Sequence, residues 1–369
     1  MRALLPGFSD DAKLAPVEAR GMLRFSVMAR WMFAFSAACA ACVALTGCLA
    51  KPTHTSSVPD DSCVDAARNE DVELVTPTGT LHGTRRLPAG RGPFASALII
   101  AGSGPTDRNG NSPLGSPDLY RKLAEALSDV GVASLRYDKR GVADSAPALT
   151  HEEDVRVETL VDDAVGWLRW WKLDRRVGPL IVVGHSEGAL LGTLAVQQEP
   201  VQGFVALAAA GRKLGVLLRE QMRARLPAQL RPSAESILAR LEAGSEVTQV
   251  PAELMALFRP SVQPYMMSLL RYDPAAELAK LSLPTLLVQG TTDIQVSMVD
   301  AKALARARPA ATLLTVKGMN HVLKRVPEGS DQRASYANGT LPLAPALVDG
   351  LHKFFARYFP HPIERCSSH

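Results

Sequence analysis

The chain has 369 residues, enough for one large α/β domain with an insertion or for two smaller domains. Its 47% hydrophobic and 21% charged content are ordinary for a globular protein, and a formal charge of +4 with no basic stretch interleaved with aromatics gives nucleic-acid binding no support. The eight histidines are scattered, with neither H-E-x-x-H nor paired C-x-x-C spacing, so no metal site is expected. Gly102-Ser103-Gly104 opens like a dinucleotide fingerprint, but Asp107 replaces the third glycine, and no cofactor is expected.

Residues 1–27 show no clear period, and Met22 or Met28 is a candidate start. From Trp31 to Ala50 the chain is almost wholly apolar and small, with Arg24 and Arg30 ahead of it. Its length would permit a membrane span. It ends, however, in Leu45-Thr46-Gly47-Cys48, which resembles the bacterial lipobox, where cleavage precedes a cysteine that receives lipid. The expectation is a signal peptide over 1–47 and a lipidated Cys48 opening a Pro/Ser/Thr-rich tether over 48–70. The folded part would then stand outside the cytoplasm in a bacterial cell envelope, membrane-bound by its lipid alone. An uncleaved anchor is the competing reading. Cys39 and Cys42 would leave with the signal, so Cys63 and Cys366 remain as a disulfide pair or as two free thiols near the ends.

Ordered structure is expected from near Val72. Val72–Val75 and Leu81–Thr84 flank Pro77-Thr78-Gly79 and read as an antiparallel hairpin at a sheet edge. Ser96–Ala101 is a buried strand running into a long Gly/Asn/Pro loop, and Leu119, Leu123, Ala126 and Leu127 mark a helix. Val132–Tyr137 is a strand, followed by the loop Asp138-Lys139-Arg140-Gly141. Leu160, Val161, Ala164, Val165, Leu168 and Trp171 recur at helical spacing. Leu180–Val183 is the next buried strand, and Phe204–Leu207 another. The alternation predicts a mostly parallel, doubly wound sheet. It stops over 212–278, where only helical patterns broken by prolines occur, and resumes with strands at Thr285–Val288 and Thr312–Val316. A last helix carries Leu347, Leu351, Phe354, Phe355 and Tyr358 on one face. The core is thus expected over 71–211 and 279–360, with a helical cap at 212–278 and a tail at 361–369.

Gly184-His185-Ser186-Glu187-Gly188 joins strand to helix, the context of a nucleophile elbow: the glycines two residues either side of Ser186 remove the Cβ atoms that a sharp turn cannot hold. A serine hydroxyl is a poor nucleophile at neutral pH and needs a base held in the right tautomer. Asp293 and His321 each follow a buried strand, on the same rim as Ser186, and are assigned as orienting carboxylate and base. Asp300 falls within a helix, His185 sits in the elbow itself, and His352 and His361 lie in or beyond the last helix, so these are poorer choices. The oxyanion of a tetrahedral intermediate needs donors worth roughly 3 kcal/mol each. The backbone N–H of Glu187 is one. The second donor is expected from the loop after Ser96–Ala101, where Ser103 N–H is the choice and Gly104 the next; Pro105 has no N–H and is excluded.

The runs GSGPTDRNGN, RYDKRG with Ser145 after it, GHSEG, GTTDIQV and GMNHVLK make residues Val72 to Tyr358 resemble an α/β-hydrolase of the serine aminopeptidase-like and dienelactone-hydrolase-like branch. Ala143 departs from the glycine that many relatives carry after the RG pair. The resemblance implies an α/β-hydrolase fold, a Ser186–His321–Asp293 triad and a cap over the site. It points to a carboxylesterase-like serine hydrolase working through a Ser186 acyl-enzyme on a small-molecule ester. A serine peptidase acting on a short peptide, a thioesterase, and a non-catalytic binding lipoprotein are the alternatives. Glu220, Glu235, Glu242 and Glu253 in the cap are candidates to bind a peptide's amine, though they read more simply as solvated helix faces.

Overall fold

The computed structural model describes residues 63–113 and 115–360. The expected signal peptide, Cys48, most of the tether, Cys366 and the side chain of Cys63 lie outside the described residues, and with them the proposed disulfide. Ordered pairing begins earlier than expected: Cys63–Val64 forms a two-residue ribbon with Gly90–Arg91, and the first long strand starts at Arg68. Residues 63–64 and 68–70 therefore belong to the fold and not to the tether. Val64 is fully buried, and a sheet edge already paired extends readily by a few residues.

The main sheet has eight strands: β1 Arg68–Thr76, β2 Gly79–Leu87, β3 Phe94–Ile100, β4 Ala133–Tyr137, β5 Val177–His185, β6 Gly203–Leu207, β7 Thr285–Gly290 and β8 Thr312–Val316. Their spatial order is β8-β7-β6-β5-β3-β4-β2-β1. From β4 to β8 every pairing is parallel, while β2 runs antiparallel to both β1 and β4. The central strands β3, β4 and β6 are buried at every position, as parallel strands covered on both faces must be. The hairpin strand β1 alternates between more and less exposed residues, because one of its faces meets water.

Helices α1 Leu119–Ser128, α2 Val157–Lys172 and α3 Glu187–Gln198 cross over between strands. The chain passes from β3 through α1 to β4, then returns through α2 to β5 on the opposite flank of β3, so strand order reverses at β3. Residues of α1 pack in one apolar cluster and those of α2 and α3 in another, one on each face of the sheet. In an open α/β sheet the crevice at such a reversal is where ligands bind, which puts the loops after β3 and β5 at the centre of interest.

Between β6 and β7 all regular structure is helical: α4 Leu214–Arg225, α5 Arg231–Glu242, α6 Gln263–Leu270, and shorter turns ending in Pro274–Ala279. These helices have an apolar cluster of their own around Leu218, Met222, Leu238, Phe258 and Met266. Later come α7 Met298–Ala307, a short helix Arg333–Ala337 and α8 Pro345–Tyr358. Helix α8 packs Leu347, Leu351, Phe354 and Phe355 on the sheet face that α1 also covers.

Candidate active site

Strand β5 ends in a turn that only an unusual backbone can make. Ser186 has φ 53° and ψ −119°, a region costly for any residue with a side chain. A Cβ on Gly184 would lie 2.3 Å from the carbonyl oxygen of Gly188, and one on Gly188 would lie 2.2 Å from that of Ile100. Both glycines are thus required by backbone meeting backbone. The Ser186 N–H donates to Leu207 O at 2.8 Å, which ties the turn to β6. Ser186 is half-buried, less open than an exposed turn serine, because the loops after β3 and β8 crowd around it.

Asp293 follows β7 and His321 follows β8, with 2.8 Å between His321 Nδ1 and Asp293 Oδ2. The other carboxylate oxygen accepts from the backbone N–H groups of Gln295 (2.8 Å) and Val296 (3.0 Å), and Gln289 Nε2 donates to Oδ2 at 3.2 Å. Burial alone would raise this carboxyl, but the His321 imidazole and these donors hold it below the usual carboxylate range. An ionised Asp293 only accepts, so Nδ1 of His321 carries the proton and Nε2 is left as the basic nitrogen. The two loops are pressed together: Thr292 N–H donates to Met319 O at 3.2 Å, and a Cβ on Gly290 would lie 2.0 Å from that oxygen. Ser186 and His321 line one cleft, together with Ser103, Gln295 and Tyr336.

The N–H groups of Ser103 and Glu187 donate to no protein acceptor among the described residues. Glu187 opens α3, so its amide is one of the free donors of a helix N-terminus. Gly102 packs against Ser186, since a Cβ there would lie 3.2 Å from Ser186 Cβ. The Gly102 N–H donates to Tyr120 Oη at 2.8 Å, and Tyr120 Oη lies 3.0 Å from His185 Nδ1. His185 Nε2 lies 2.9 Å from the carbonyl oxygen of His321. A carbonyl only accepts, so His185 is protonated on Nε2 and Tyr120 donates to Nδ1. Burial, helped by the neighbouring His321, pushes the His185 imidazole down to about 3, and it stays neutral. His185 is therefore a strut that connects the loop after β3 to the loop bearing His321.

The poorer sequence candidates lie elsewhere. Asp300 caps α7 and pairs with Arg212, and His352 Nε2 bonds Ala126 O at 3.1 Å. His361 lies outside the described residues. Of the cap carboxylates, Glu220 pairs with Arg212, Glu235 and Glu242 pair with Arg219, and Glu253 is exposed. Sequence reasoning missed Tyr120, Lys139 and Tyr265. Lys139 and Tyr265 line a second cleft that adjoins the first at Ser103. Lys139 stands in the Asp138-Lys139-Arg140-Gly141 loop that the sequence marked out, but its partners are 37 and 48 residues away.

Sheet order, elbow and strand-end loops define the α/β-hydrolase class. The chain belongs to the serine aminopeptidase S33 family, whose model matches residues 116–325, more than half of the chain. Esterase EstD of Thermotoga maritima is 28% identical over 248 residues, 66% of this chain and 58% of that protein, so the match spans less than two thirds of the relative. Est1E of Butyrivibrio proteoclasticus, solved with ferulic acid bound, superposes with a TM-score of 0.53 at 15% identity, over 79% of this chain and all of that one. An esterase of Pyrococcus furiosus gives 0.51 at 16%, over 79% and 91%. At such identities the likeness is one of fold.

Proposed function

We propose that this protein hydrolyses carboxylic esters through an acyl-enzyme on Ser186. The observation that carries the reading is the convergence on one cleft of a strained Ser186, the His321–Asp293 pair and the unpaired Ser103 amide, with the Glu187 amide next to the serine. In this reading His321 takes the proton of Ser186 Oγ as it attacks the ester carbonyl, and the two amides hold the oxyanion. His321 then gives the proton to the leaving alcohol, and a water activated by the same imidazole releases the acid.

The leaving group must depart on the side of His321, so the alcohol faces Gln295 and Tyr336. The acyl group turns the other way, into the second cleft, where Val142, Val155, Leu160, Val262, Met266 and Leu269 present an apolar lining. That cleft opens over about 730 Å3, part of it continuous with solvent. Ester is favoured over an aminopeptidase substrate by charge. Among the described residues no carboxylate lines the first cleft, and the two that line the second are both paired with a cation. Glu152 pairs with Arg259, and Glu187 with Lys139, which leaves no free anion for a substrate's amine. We further propose that the enzyme is exported and lipid-anchored through Cys48, the reading that the Leu45–Cys48 run supports.

The test is a panel of p-nitrophenyl esters beside aminoacyl-nitroanilides, with a fluorophosphonate probe as the label. Esters should be turned over and the label should map to Ser186. Ser186→Ala should lose both, with kcat down by at least about 10³-fold in a protein that still folds. Turnover of nitroanilides alone, or labelling that survives the substitution, overturns the reading.

A further inference from the structure

Both amides assigned to the oxyanion are held from behind by the same buried ammonium. Lys139 stands two residues past the end of β4 and is 5% exposed. Its Nζ donates to Gly102 O at 2.6 Å and to Glu187 Oε2 at 3.3 Å. The first contact acts on Ser103 through peptide planarity. In a trans peptide the C=O and the following N–H point in opposite directions. A cation fixed on Gly102 O therefore aims the Ser103 N–H the other way, and it also polarises that peptide, making the N–H a stronger donor. Tyr120 holds the Gly102 N–H of the preceding peptide unit, so Gly102 itself is gripped on both sides.

The second contact reaches the other donor. The Glu187 side chain, 9% exposed, is drawn to Lys139 through one oxygen and accepts from Tyr265 Oη of α6 through the other. Burial and the adjacent Glu187 push the Tyr265 hydroxyl well above its ordinary value, so it remains a donor. Desolvating an ammonium and a carboxylate side by side is costly before their attraction is counted. Apolar residues could fill the same space without that cost, and the charges need a reason to be there.

We propose that Lys139 is a positioning residue that holds the Ser103 and Glu187 amides in register with the tetrahedral oxygen, and that Tyr265 makes this register depend on the helical insertion being seated. The proposal rests on the hydrolase reading above. A register of this kind acts on the transition state and leaves ground-state binding nearly untouched.

The experiment measures kcat and KM on a short p-nitrophenyl ester with the full-length protein, per site titrated by fluorophosphonate, and the affinity for a trifluoromethyl ketone. Lys139→Met should lower kcat per titrated site about 10²–10³-fold, change KM less than about threefold, and weaken ketone binding in parallel. Lys139→Arg, which restores a cation, should recover at least tenfold. Tyr265→Phe should lose about three- to tenfold in the same parameter. Should Lys139→Met not fold, Lys139→Gln takes its place as a neutral donor. A kcat within threefold of wild type in the neutral variant overturns the proposal, as does a loss confined to KM or to the titratable fraction. Wild-type protein that neither turns over ester nor labels at Ser186 overturns the hydrolase reading and takes this proposal with it. An active wild type with an unaffected Lys139 variant overturns the proposal alone.

Discussion

Ser186 occupies a backbone region that glycine enters freely and other residues enter at a cost of about 1–3 kcal/mol. That strain is held in place by Gly184 and Gly188, which sit so close to neighbouring backbone that the turn has no other path. Replacing Ser186 two ways separates strain from chemistry. Ser186→Ala keeps the strain and Ser186→Gly relieves it, so the glycine variant should be the more stable of two inactive proteins by about 1 kcal/mol, after glycine's own entropy cost. Urea denaturation of the pair is the check. Equal midpoints would mean that the turn is relaxed with serine in place.

At the scale of elements, the loop after β8 that carries His321 is secured by its neighbour Lys324. The backbone N–H of Lys324 donates to Asn320 Oδ1 (3.0 Å), and its buried Nζ donates to Leu341 O (2.5 Å). Burial pushes this ammonium down to about 8, and Lys122 and Arg121 add to the push against the opposing pull of Asp118. The folded pKa is lower than the unfolded one. Between about pH 8 and 10.5 the unfolded chain therefore keeps a proton that the folded chain has lost, and stability rises with pH. Wild type should gain about 1–2 kcal/mol relative to Lys324→Met across that window, less than the full shift implies because solvent screens part of it. Parallel stability curves for the two proteins from pH 8 to 10.5 would rule this out.

The strands were legible because buried β-branched runs such as Leu180–Val183 have no other use, and the elbow was legible because its glycines are local to Ser186. Asp293 and His321 are candidates from the rim rule together with the chain order serine, aspartate, histidine. What could not be read is whatever depends on side chains meeting across distance. Lys139 looks like any loop lysine until β3 and β4 are paired, and Tyr265 looks like a core aromatic until α6 lies against Glu187. Ordered structure begins ahead of Val72 for the same reason: Cys63–Val64 is polar-flanked and short, and only its partner Gly90–Arg91 makes it a strand.

For the whole molecule, the decisive question is where it sits. Acyl chains on Cys48 would tether it, each buried CH2 adding about 0.8 kcal/mol, so that two or three chains hold firmly where one would not. Cys48→Ser should block processing before that residue, leave a heavier product, and remove label from a fed radioactive fatty acid. A transmembrane anchor predicts one mass and no label in both forms, and wild-type protein that retains Trp31–Gly47 would establish the anchor instead.

The helices between β6 and β7 pack around Leu218, Leu238 and Phe258, a cluster that shares no residue with the two that clamp the sheet. Sites without common partners respond to substitution nearly independently. The lining that Met266 contributes to the second cleft can thus drift, lengthen or be exchanged while the strands that hold Ser186, Asp293 and His321 stay as they are. At the site itself the two histories meet in Tyr265 on Glu187, one of several contacts, with Ser268 on Val157 and Arg259 on Glu152, through which a changing recognition surface remains answerable to the frame below it.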